Sequence, residues 1–288
     1  MEIVLALGSA IAYGVADYTG GVLTKRARVF NVVLLSQLVS CALLALVLPF
    51  WSGTFSWTAV QWGALAGIAG AAGAALLYRG LAVGRMGTVA PITGVLAAAL
   101  PVAFGLAGGE RPGSLPLTGV ALGFVAVVLI SRAAPDPDQE NSEVQPVRGM
   151  SESGRGVPEG LGAGVGFGVF FILLTQAPEE SGLWPLVGTR LAMLATAGVV
   201  LAITGSAIRP SGGIGRGLLW LGLMNLGADL LFLLATRAGL LSLVAVITSL
   251  YPASTIALAR LLLNEKMLRQ QLVGVALAAL SVVLISLR

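Results

Sequence analysis

The second half of this 288-residue chain repeats the first half. When the sequence is shifted by 155 residues, residues 84–131 align with residues 239–286 without a gap, and 18 of the 48 aligned positions are identical. The longest shared block reads GVALGFVAVVLIS in the first copy and GVALAALSVVLIS in the second. A second match aligns LGSAIAYGV at 7–15 with LGAGVGFGV at 161–169. A duplicated unit built of apolar segments is typical of membrane transport folds with internal repeats.

The composition excludes a water-soluble globule. Hydrophobic residues make up 57% of the chain and charged residues only 10%, whereas about a quarter of the residues of a soluble domain are charged. A lipid bilayer is the solvent that matches this composition. The 39 glycines fit the same environment, since small residues let helices pack closely where no hydrophobic effect drives them together. The net charge of +4 is explained by the positions of Lys and Arg in loops and does not indicate nucleic acid binding.

The apolar segments predict an all-α integral membrane protein with ten transmembrane helices, each near the ~20 residues that a spanning helix needs. A polar stretch at 133–158, rich in Pro, Asp, Glu, Ser and Gly, is predicted to be a flexible linker. It separates a first five-helix repeat at 1–132 from a second at 159–288. Because five is odd, the second repeat should enter the membrane from the opposite side, as an inverted repeat. The predicted segments are 2–23, 30–50, 59–81, 88–107, 115–132, 159–176, 183–204, 215–236, 240–262 and 270–287.

Lys and Arg are distributed unevenly between the two sets of loops. The loops after the odd-numbered helices carry 11 of them, and the other loops and the termini carry only Arg111, Arg237 and Arg288. Cytoplasmic loops of membrane proteins are enriched in Lys and Arg. The distribution therefore predicts that the odd-numbered loops are cytoplasmic and that both termini are exoplasmic.

Together these features resemble the ten-helix EamA-type members of the drug/metabolite transporter superfamily, over nearly the whole chain. The resemblance rests on the duplicated five-helix unit and on a small-aromatic-Gly sequence near the start of each half, at 12–14 and 166–168. It also rests on the glutamate that follows the fourth helix of each half, Glu110 and Glu265. The resemblance implies transport of a small molecule, in a superfamily whose members move amino acids, drugs, nucleosides or other metabolites.

The family pattern often includes an arginine in the second helix of each half. Arg190 fits this pattern in the second half, whereas Gln37 stands at the matching place in the first half. Many members of the family are thought to keep both termini in the cytosol. The Lys and Arg distribution of this chain predicts the opposite orientation.

Three charged residues fall deep inside predicted helices: Asp17 in helix 1, Arg190 in helix 7 and Asp229 in helix 8. Each is a functional candidate, because a charge within a membrane costs several kcal/mol. Asp17 has no acidic, basic or amide residue one turn away on its own helix, so burial should favour its neutral form and make it the better proton site. Arg190 cannot relay protons and could pair with either aspartate or bind a substrate carboxylate. If Arg190 lies beside Asp17, Asp229 becomes the proton exchanger instead.

A central cavity is predicted between the halves, lined by helices 1, 3, 4, 6, 8 and 9. On helix 8, Asn225, Asp229 and Thr236 share one face, which suits either a cavity lining or a hydrogen-bond ladder between helices. Helix 9 carries three hydroxyls along one side, and prolines should kink helices 4 and 9. Tyrosines could form aromatic walls or serve only in packing. The cavity candidates are Tyr13, Tyr78, Asn225, Asp229, Thr248, Tyr251 and Thr255, and the predicted kinks are at Pro91, Pro101 and Pro252.

No catalytic, metal or cofactor site is predicted. The chain has no histidine, which removes Ser-His-Asp triads and HExxH zinc sites, and it has no Walker A sequence for ATP-driven pumping. Its single cysteine, Cys41, cannot form an intrachain disulfide. One enzymatic alternative stays open: an intramembrane aspartyl protease using Asp17 and Asp229, although the sequence around Asp229 lacks a Gly-Asp context.

The sequence therefore predicts a secondary active transporter that exports a small metabolite or drug by alternating access with proton coupling. The alternatives are an uncoupled facilitator or exchanger, a membrane enzyme using Asp17 and Asp229, and a membrane scaffold that transports nothing. The predicted partners are a small-molecule substrate, the proton and the lipid bilayer, without nucleic acid. One chain holds both repeats, so a monomer should suffice, and the predicted location is a prokaryotic inner membrane.

The predicted orientation can be tested with a C-terminal fluorescent protein that fails to mature when it is exported by the Sec route. We expect this fusion to stay dark, because the Lys and Arg distribution puts the C-terminus outside. The same reporter inserted into the linker at 133–158 should fluoresce and serves as the control. A bright C-terminal fusion would reverse the orientation.

Overall fold

The computed structural model describes residues 1–24, 27, 29–83, 86–131, 156–204, 215–251, 253–254, 257–258 and 269–287. These residues form ten α-helices and two short 3-10 turns, and no strand occurs among them. The helices are α1 Glu2–Thr24, α2 Val29–Val47, α3 Trp57–Val83, α4 Met86–Ala107, α5 Ser114–Ser131, α6 Val157–Leu174, α7 Trp184–Thr204, α8 Gly215–Ala238, α9 Leu241–Thr248 and α10 Arg269–Ser286. The 3-10 turns are Leu48–Phe50 and Glu179–Ser181.

The helices follow the apolar segments of the sequence. Apart from the end of α9, their described ends lie within three residues of the predicted ones, because a segment in lipid must satisfy its backbone hydrogen bonds internally and therefore stays helical along its apolar length. Six of them, α1, α2, α3, α6, α7 and α8, are long and apolar enough to cross a membrane, while the apolar parts of α4, α5 and α10 are shorter. The predicted segment 240–262 begins with α9, but much of it lies outside the described residues, as does nearly all of the predicted linker at 133–158.

The duplication seen in the sequence recurs in the helix boundaries. A shift of 155 residues takes the first residue of α1 to the first residue of α6. The same shift takes the start of α2 to that of α7, the start of α4 to that of α9, and the start of α5 to that of α10. The last residues of α3 and α8 have the same offset. Each half therefore lays out its helices at corresponding positions.

The helices pack mainly against helices of the other half. Helix α1 packs along α8, and its counterpart α6 packs along α3. In the same way α2 contacts α8 while α7 contacts α3, and α1 contacts α9 while α6 contacts α4. The pairs α5 and α10, α4 and α9, and α2 and α7 join counterparts directly. Exchanging the two halves thus reproduces the main packing pairs.

Glycine allows α3 and α7 to touch along their backbones. A Cβ atom on Gly63 would overlap the carbonyl oxygen of Pro185, and a Cβ atom on Gly188 would overlap the carbonyl oxygen of Val60. The Thr189 hydroxyl donates a hydrogen bond of 3.0 Å to the Gly63 carbonyl across the same contact. Close packing of this kind joins membrane helices that have no hydrophobic effect to hold them together.

Replacing Gly188 by alanine should separate α7 from α3 and lower the thermal unfolding midpoint in detergent, by overpacking that costs about 1–3 kcal/mol. Gly198→Ala, on the same helix, is the matched control, because a Cβ atom there meets nothing within 4 Å. We expect the control to leave the midpoint unchanged or slightly raised, since alanine is the better helix former. Equal midpoints for the two variants would contradict the close packing described here.

Candidate functional site

A buried ion pair lies at the centre of the helix bundle. Arg190, on α7, is only 1% exposed. Its Nη2 atom lies 2.5 Å from Oδ2 of Asp229 on α8. Arg190 also donates from Nη1 to Oε1 of Gln37 on α2, at 3.0 Å, and from Nη2 to the Asn225 carbonyl, at 3.1 Å. The guanidinium therefore connects three helices, two from the second half and one from the first.

The second carboxylate oxygen of Asp229 is bound by α1. The Tyr13 hydroxyl donates a hydrogen bond to Oδ1 of Asp229. With Arg190 on Oδ2, both oxygens of this buried carboxylate have a partner. A buried carboxylate requires a partner for each oxygen, because each missing hydrogen bond in a low-dielectric interior is costly.

Aromatic rings surround Tyr13 on two sides. Its ring centroid lies 6.1 Å from that of Phe171 on α6, edge to face, and 6.3 Å from that of Tyr251, just after α9. Phe171 in turn packs against Phe232 on α8, at 4.5 Å. The rings come from four different helical segments and form one aromatic cluster beside the ion pair.

Asp17 lies next to this cluster but outside the network of hydrogen bonds. It follows Tyr13 by one helical turn, so both residues share a face of α1. Its side chain is exposed, and it forms no hydrogen bond or ion pair with the residues that the structure describes. It lies within electrostatic range of the hydroxyl groups of both Tyr13 and Tyr251. The position lies roughly 140° around the helix from the outward-facing Val4, so we interpret the exposure of Asp17 as access to a space inside the bundle.

A close contact explains how this face of α1 meets Tyr251. A Cβ atom on Gly14 would lie 2.7 Å from the Tyr251 carbonyl oxygen and would overlap the Ser254 hydroxyl. That hydroxyl donates to the Ala10 carbonyl at 3.0 Å and to the Tyr251 carbonyl at 2.9 Å. Only glycine at position 14 lets the two segments approach so closely, and the approach brings Asp17 beside Tyr251.

The structure brings together six of the predicted candidates: Tyr13, Asp17, Arg190, Asn225, Asp229 and Tyr251. Asn225 takes part through its backbone carbonyl. Thr236 does not join them, because its hydroxyl donates to carbonyls of its own helix. Thr248 is fully buried, and its hydroxyl has no partner in the part of the chain that the structure describes. The side chains of Tyr78 and Pro91, and the whole of Pro252 and Thr255, lie outside the described residues.

Helix α4 is continuous across its prolines. Pro101 is buried within Met86–Ala107, which is helical throughout. Proline therefore does not end this helix, and the predicted kink within it stays a prediction.

Sequence reasoning missed the roles of three residues. In the sequence, Gln37 stands out only as the position that matches Arg190, and Phe171 follows Asp17 by 154 residues, the offset that aligns 7–15 with 161–169. In the structure, Gln37 binds Arg190 and Phe171 packs on Tyr13. The third is Glu110. Its carboxylate accepts hydrogen bonds from the backbone N–H groups of Leu241, at 2.7 Å, and Ser242, at 3.0 Å. It thereby caps the first turn of α9, a helix of the other half.

The two intramembrane aspartates are not arranged as a protease dyad in the described part of the chain. No three His, Cys, Asp or Glu side chains gather as metal ligands among them. Asp17 and Asp229 share no hydrogen bond in the described part of the chain, and both oxygens of Asp229 are already bound by Tyr13 and Arg190. A protease dyad, in contrast, needs two carboxylates that share a proton.

The second half of the chain is similar to a known family of membrane proteins. Residues 155–287 match the model of the EamA-like transporter family. The second half of the chain is thus similar to EamA-like domains. EamA is a family of the drug/metabolite transporter superfamily, as the sequence predicts. Together with the six described helices that are long and apolar enough to cross a membrane, this similarity indicates an integral membrane protein.

The fold of this chain is similar to that of a protein of known crystal structure. The similarity covers 98% of both chains, with a TM-score of 0.71 and 14% sequence identity. At this identity the likeness shows the fold alone. No curated protein matches the chain.

The ion pair predicts an unequal effect of removing its two partners. Asp229→Asn leaves a guanidinium that cannot lose its charge, so we expect a loss of about 3 kcal/mol or more in unfolding free energy. Arg190→Met should cost less, because the remaining carboxyl can become neutral by binding a proton.

Thermal unfolding of the purified variants in detergent measures both effects. The double variant Arg190→Met/Asp229→Asn should lose less stability than the sum of the two single variants, since the residues are in direct contact. Additive losses would show that the pair does not stabilise the fold.

Proposed function

We propose that the protein is a secondary active transporter that exports a small metabolite or drug by alternating access, in exchange for protons. The observation that carries this proposal is the contrast between two intramembrane carboxylates. Asp229 is fixed by Arg190 and Tyr13, whereas Asp17 is exposed beside the aromatic cluster with no described partner. An accessible carboxylate inside a transporter-family bundle can bind and release a proton without breaking the packing of the helices.

We further propose that residues 1–132 and 159–288 are two EamA-type repeats of five spanning helices, inverted in the membrane and joined by the linker at 133–158. The counterparts α5 and α10 support this, since they run antiparallel. The Ser281 hydroxyl donates to the Gly119 carbonyl at 2.7 Å near one end of the pair, and the Gln271 amide donates to the Ile130 carbonyl at 3.5 Å near the other. Helices related by a two-fold axis in the membrane plane have opposite directions.

The direction of α6 gives independent support for inversion. Near one end of its contact with α3, Gly80 lies close to Glu159, and near the other end Gly70 lies close to Phe170. The two helices are therefore antiparallel. Because short connections join α1, α2 and α3, α3 crosses in the same direction as α1, so α6 crosses in the opposite direction.

In the proposed cycle, the two halves rock against each other around the aromatic cluster. The cluster is formed by segments of both halves, as expected for a substrate site at a repeat interface. The protein would lie in a prokaryotic inner membrane with both termini outside, following the Lys and Arg distribution. One chain contains both repeats, so a monomer would complete the site.

Proton coupling can be tested with the purified protein in liposomes that contain a pH-sensitive dye. Amino acids, amines, nucleosides and sugars are first screened for thermal stabilisation of the protein, and stabilising compounds are then added outside the liposomes. We expect such a compound to change the internal pH only when the protein is present. Asp17→Asn should abolish this change, because an amide cannot exchange a proton.

Glu159→Gln is the matched control, because it also removes a carboxylate, but one that pairs with Arg79 near helix ends at 3.5 Å. The control should keep the pH change. Transport of a compound without any pH change would favour the uncoupled facilitator. If no screened compound crosses the membrane at all, the transport proposal itself is contradicted.

A further inference from the structure

We infer that a groove on the outer face of α8 binds an anionic phospholipid, with the lipid phosphate at Arg216 and an acyl chain along the helix. The groove has a volume of about 490 Å³. It is a site on the surface of the bundle, separate from the buried ion pair and the aromatic cluster, so it goes beyond the proposed transport function. Its lining residues are Leu43 on α2 and Arg216, Gly217, Leu219, Trp220 and Leu223 on α8.

The groove lies on a face of α8 that points away from the other helices. Leu219 is 58% exposed, Trp220 54% and Leu223 39%, whereas Leu218 and Leu221 on the opposite face are buried. An exposed apolar face of a membrane-spanning helix meets acyl chains and not water. The walls of the groove therefore suit a hydrocarbon chain.

The groove runs along α8 from its first turn towards the middle of the membrane. Leu223 follows Arg216 by seven residues, which is about 10 Å along a helix. Leu43 lies near the Leu223 end, because Ser40, one turn earlier on α2, donates a hydrogen bond of 2.8 Å to the Gly222 carbonyl. Helix α8 has 24 residues and is about 36 Å long, longer than the roughly 30 Å hydrocarbon core. Its first turn, with Arg216, therefore reaches the lipid headgroups.

Arg216 is free to bind a ligand at this level of the membrane. It is exposed and forms no hydrogen bond or ion pair with the residues that the structure describes. A guanidinium group can donate two parallel hydrogen bonds to the oxygens of one phosphate. Trp220, one turn deeper, is a residue type that favours the boundary between headgroups and chains. The groove thus presents a phosphate-binding group and then an apolar wall, in the order in which a phospholipid presents its headgroup and its chain.

The surroundings of Arg216 favour a negatively charged lipid over a zwitterionic one. The end of α1 packs here, since a Cβ atom on Gly217 would lie 2.7 Å from the Leu23 side chain, and Ala27 packs against the same cluster as Leu23. The two loops that lead into α2 and α8, residues 25–28 and 205–214, contain no Asp or Glu. A basic surface at the bilayer interface attracts anionic headgroups. The basic residues of these loops are Lys25, Arg26, Arg28 and Arg209.

The first test compares lipids that differ only in their headgroup. Native mass spectrometry of the purified protein in detergent measures how tightly each lipid binds. We expect dioleoyl-phosphatidylglycerol to bind about tenfold more tightly than dioleoyl-phosphatidylcholine, because the chains are the same and only the first lipid has a net negative charge. Equal affinities would overturn the inference.

The same measurement separates a lipid from other occupants of the groove. Inorganic phosphate in about tenfold excess should leave most of the phosphatidylglycerol bound, because a free anion does not cover the apolar wall. Displacement by phosphate would show a simple anion site and overturn the assignment to a lipid. A dimer that forms without lipid and prevents lipid binding would assign the groove to a second copy of the chain.

The second test changes the charge at the headgroup end. Arg216→Gln should weaken phosphatidylglycerol binding about fivefold and leave phosphatidylcholine binding unchanged, whereas Arg216→Lys should keep most of the preference. Arg269→Gln is the matched control, because Arg269 is also exposed in the first turn of a helix and lies away from the groove. An unchanged lipid preference in Arg216→Gln, or an equal loss in Arg269→Gln, would contradict the assignment of the phosphate to Arg216.

The third test fills the groove without changing its charge. Leu223→Trp should weaken phosphatidylglycerol binding about tenfold, because the larger side chain occupies the path of the acyl chain. Leu280→Trp is the control, since Leu280 is 46% exposed on α10 and does not line the groove. Both positions are on the surface, so we expect both variants to keep the thermal unfolding midpoint of the lipid-free protein. Wild-type lipid binding in Leu223→Trp would exclude the groove as the site of the chain, whatever the outcome of the transport assays.

Discussion

The burial of Arg190 is the constraint on which the centre of the bundle depends. A guanidinium stays charged at every accessible pH, and the interior of a membrane protein offers it no bulk water. It must therefore be met by Asp229, Gln37 and the Asn225 carbonyl, and Asp229 must in turn be met by Tyr13. These bonds fix the relative positions of α1, α2, α7 and α8. Buried ion pairs add little net stability but are costly to break, so this pair acts chiefly by excluding other arrangements of the helices.

Polar contacts can fix the helices only because small residues first let them approach. At Gly14, α1 comes so close to Tyr251 that a Cβ atom would not fit, and at Gly63 and Gly188 the backbones of α3 and α7 touch. Dispersion contacts of this kind replace the hydrophobic effect inside a bilayer. Because the closest contacts join opposite halves, the two repeats of the chain depend on each other for their packing.

The sequence was sufficient to predict the helices, since the thickness of a bilayer and the need to satisfy backbone hydrogen bonds leave few choices of length and structure. It could not decide whether Arg190 pairs with Asp17 or Asp229, because periodicity gives the face of a helix and not the neighbour that the face meets. Gln37 lies 153 residues from Arg190, and Glu110 lies 131 residues from the backbone N–H that it caps. Contacts at such separations arise from helix docking, for which one sequence carries no local signal.

Under the proposed mechanism, the different surroundings of the two aspartates give them separate roles. Protonation of Asp229 would remove the counter-ion of Arg190 and so disturb four helices, which makes Asp229 unsuited to change its charge in every cycle. Asp17 has no described partner to lose, so its charge can change while the packing stays intact. The repeat sharpens this contrast, because the counterpart of Asp17 is Phe171, a ring of the aromatic cluster. One carboxylate without a described partner thus lies beside the aromatic cluster, and under the proposed mechanism a single such carboxylate limits each cycle to one exchanged proton.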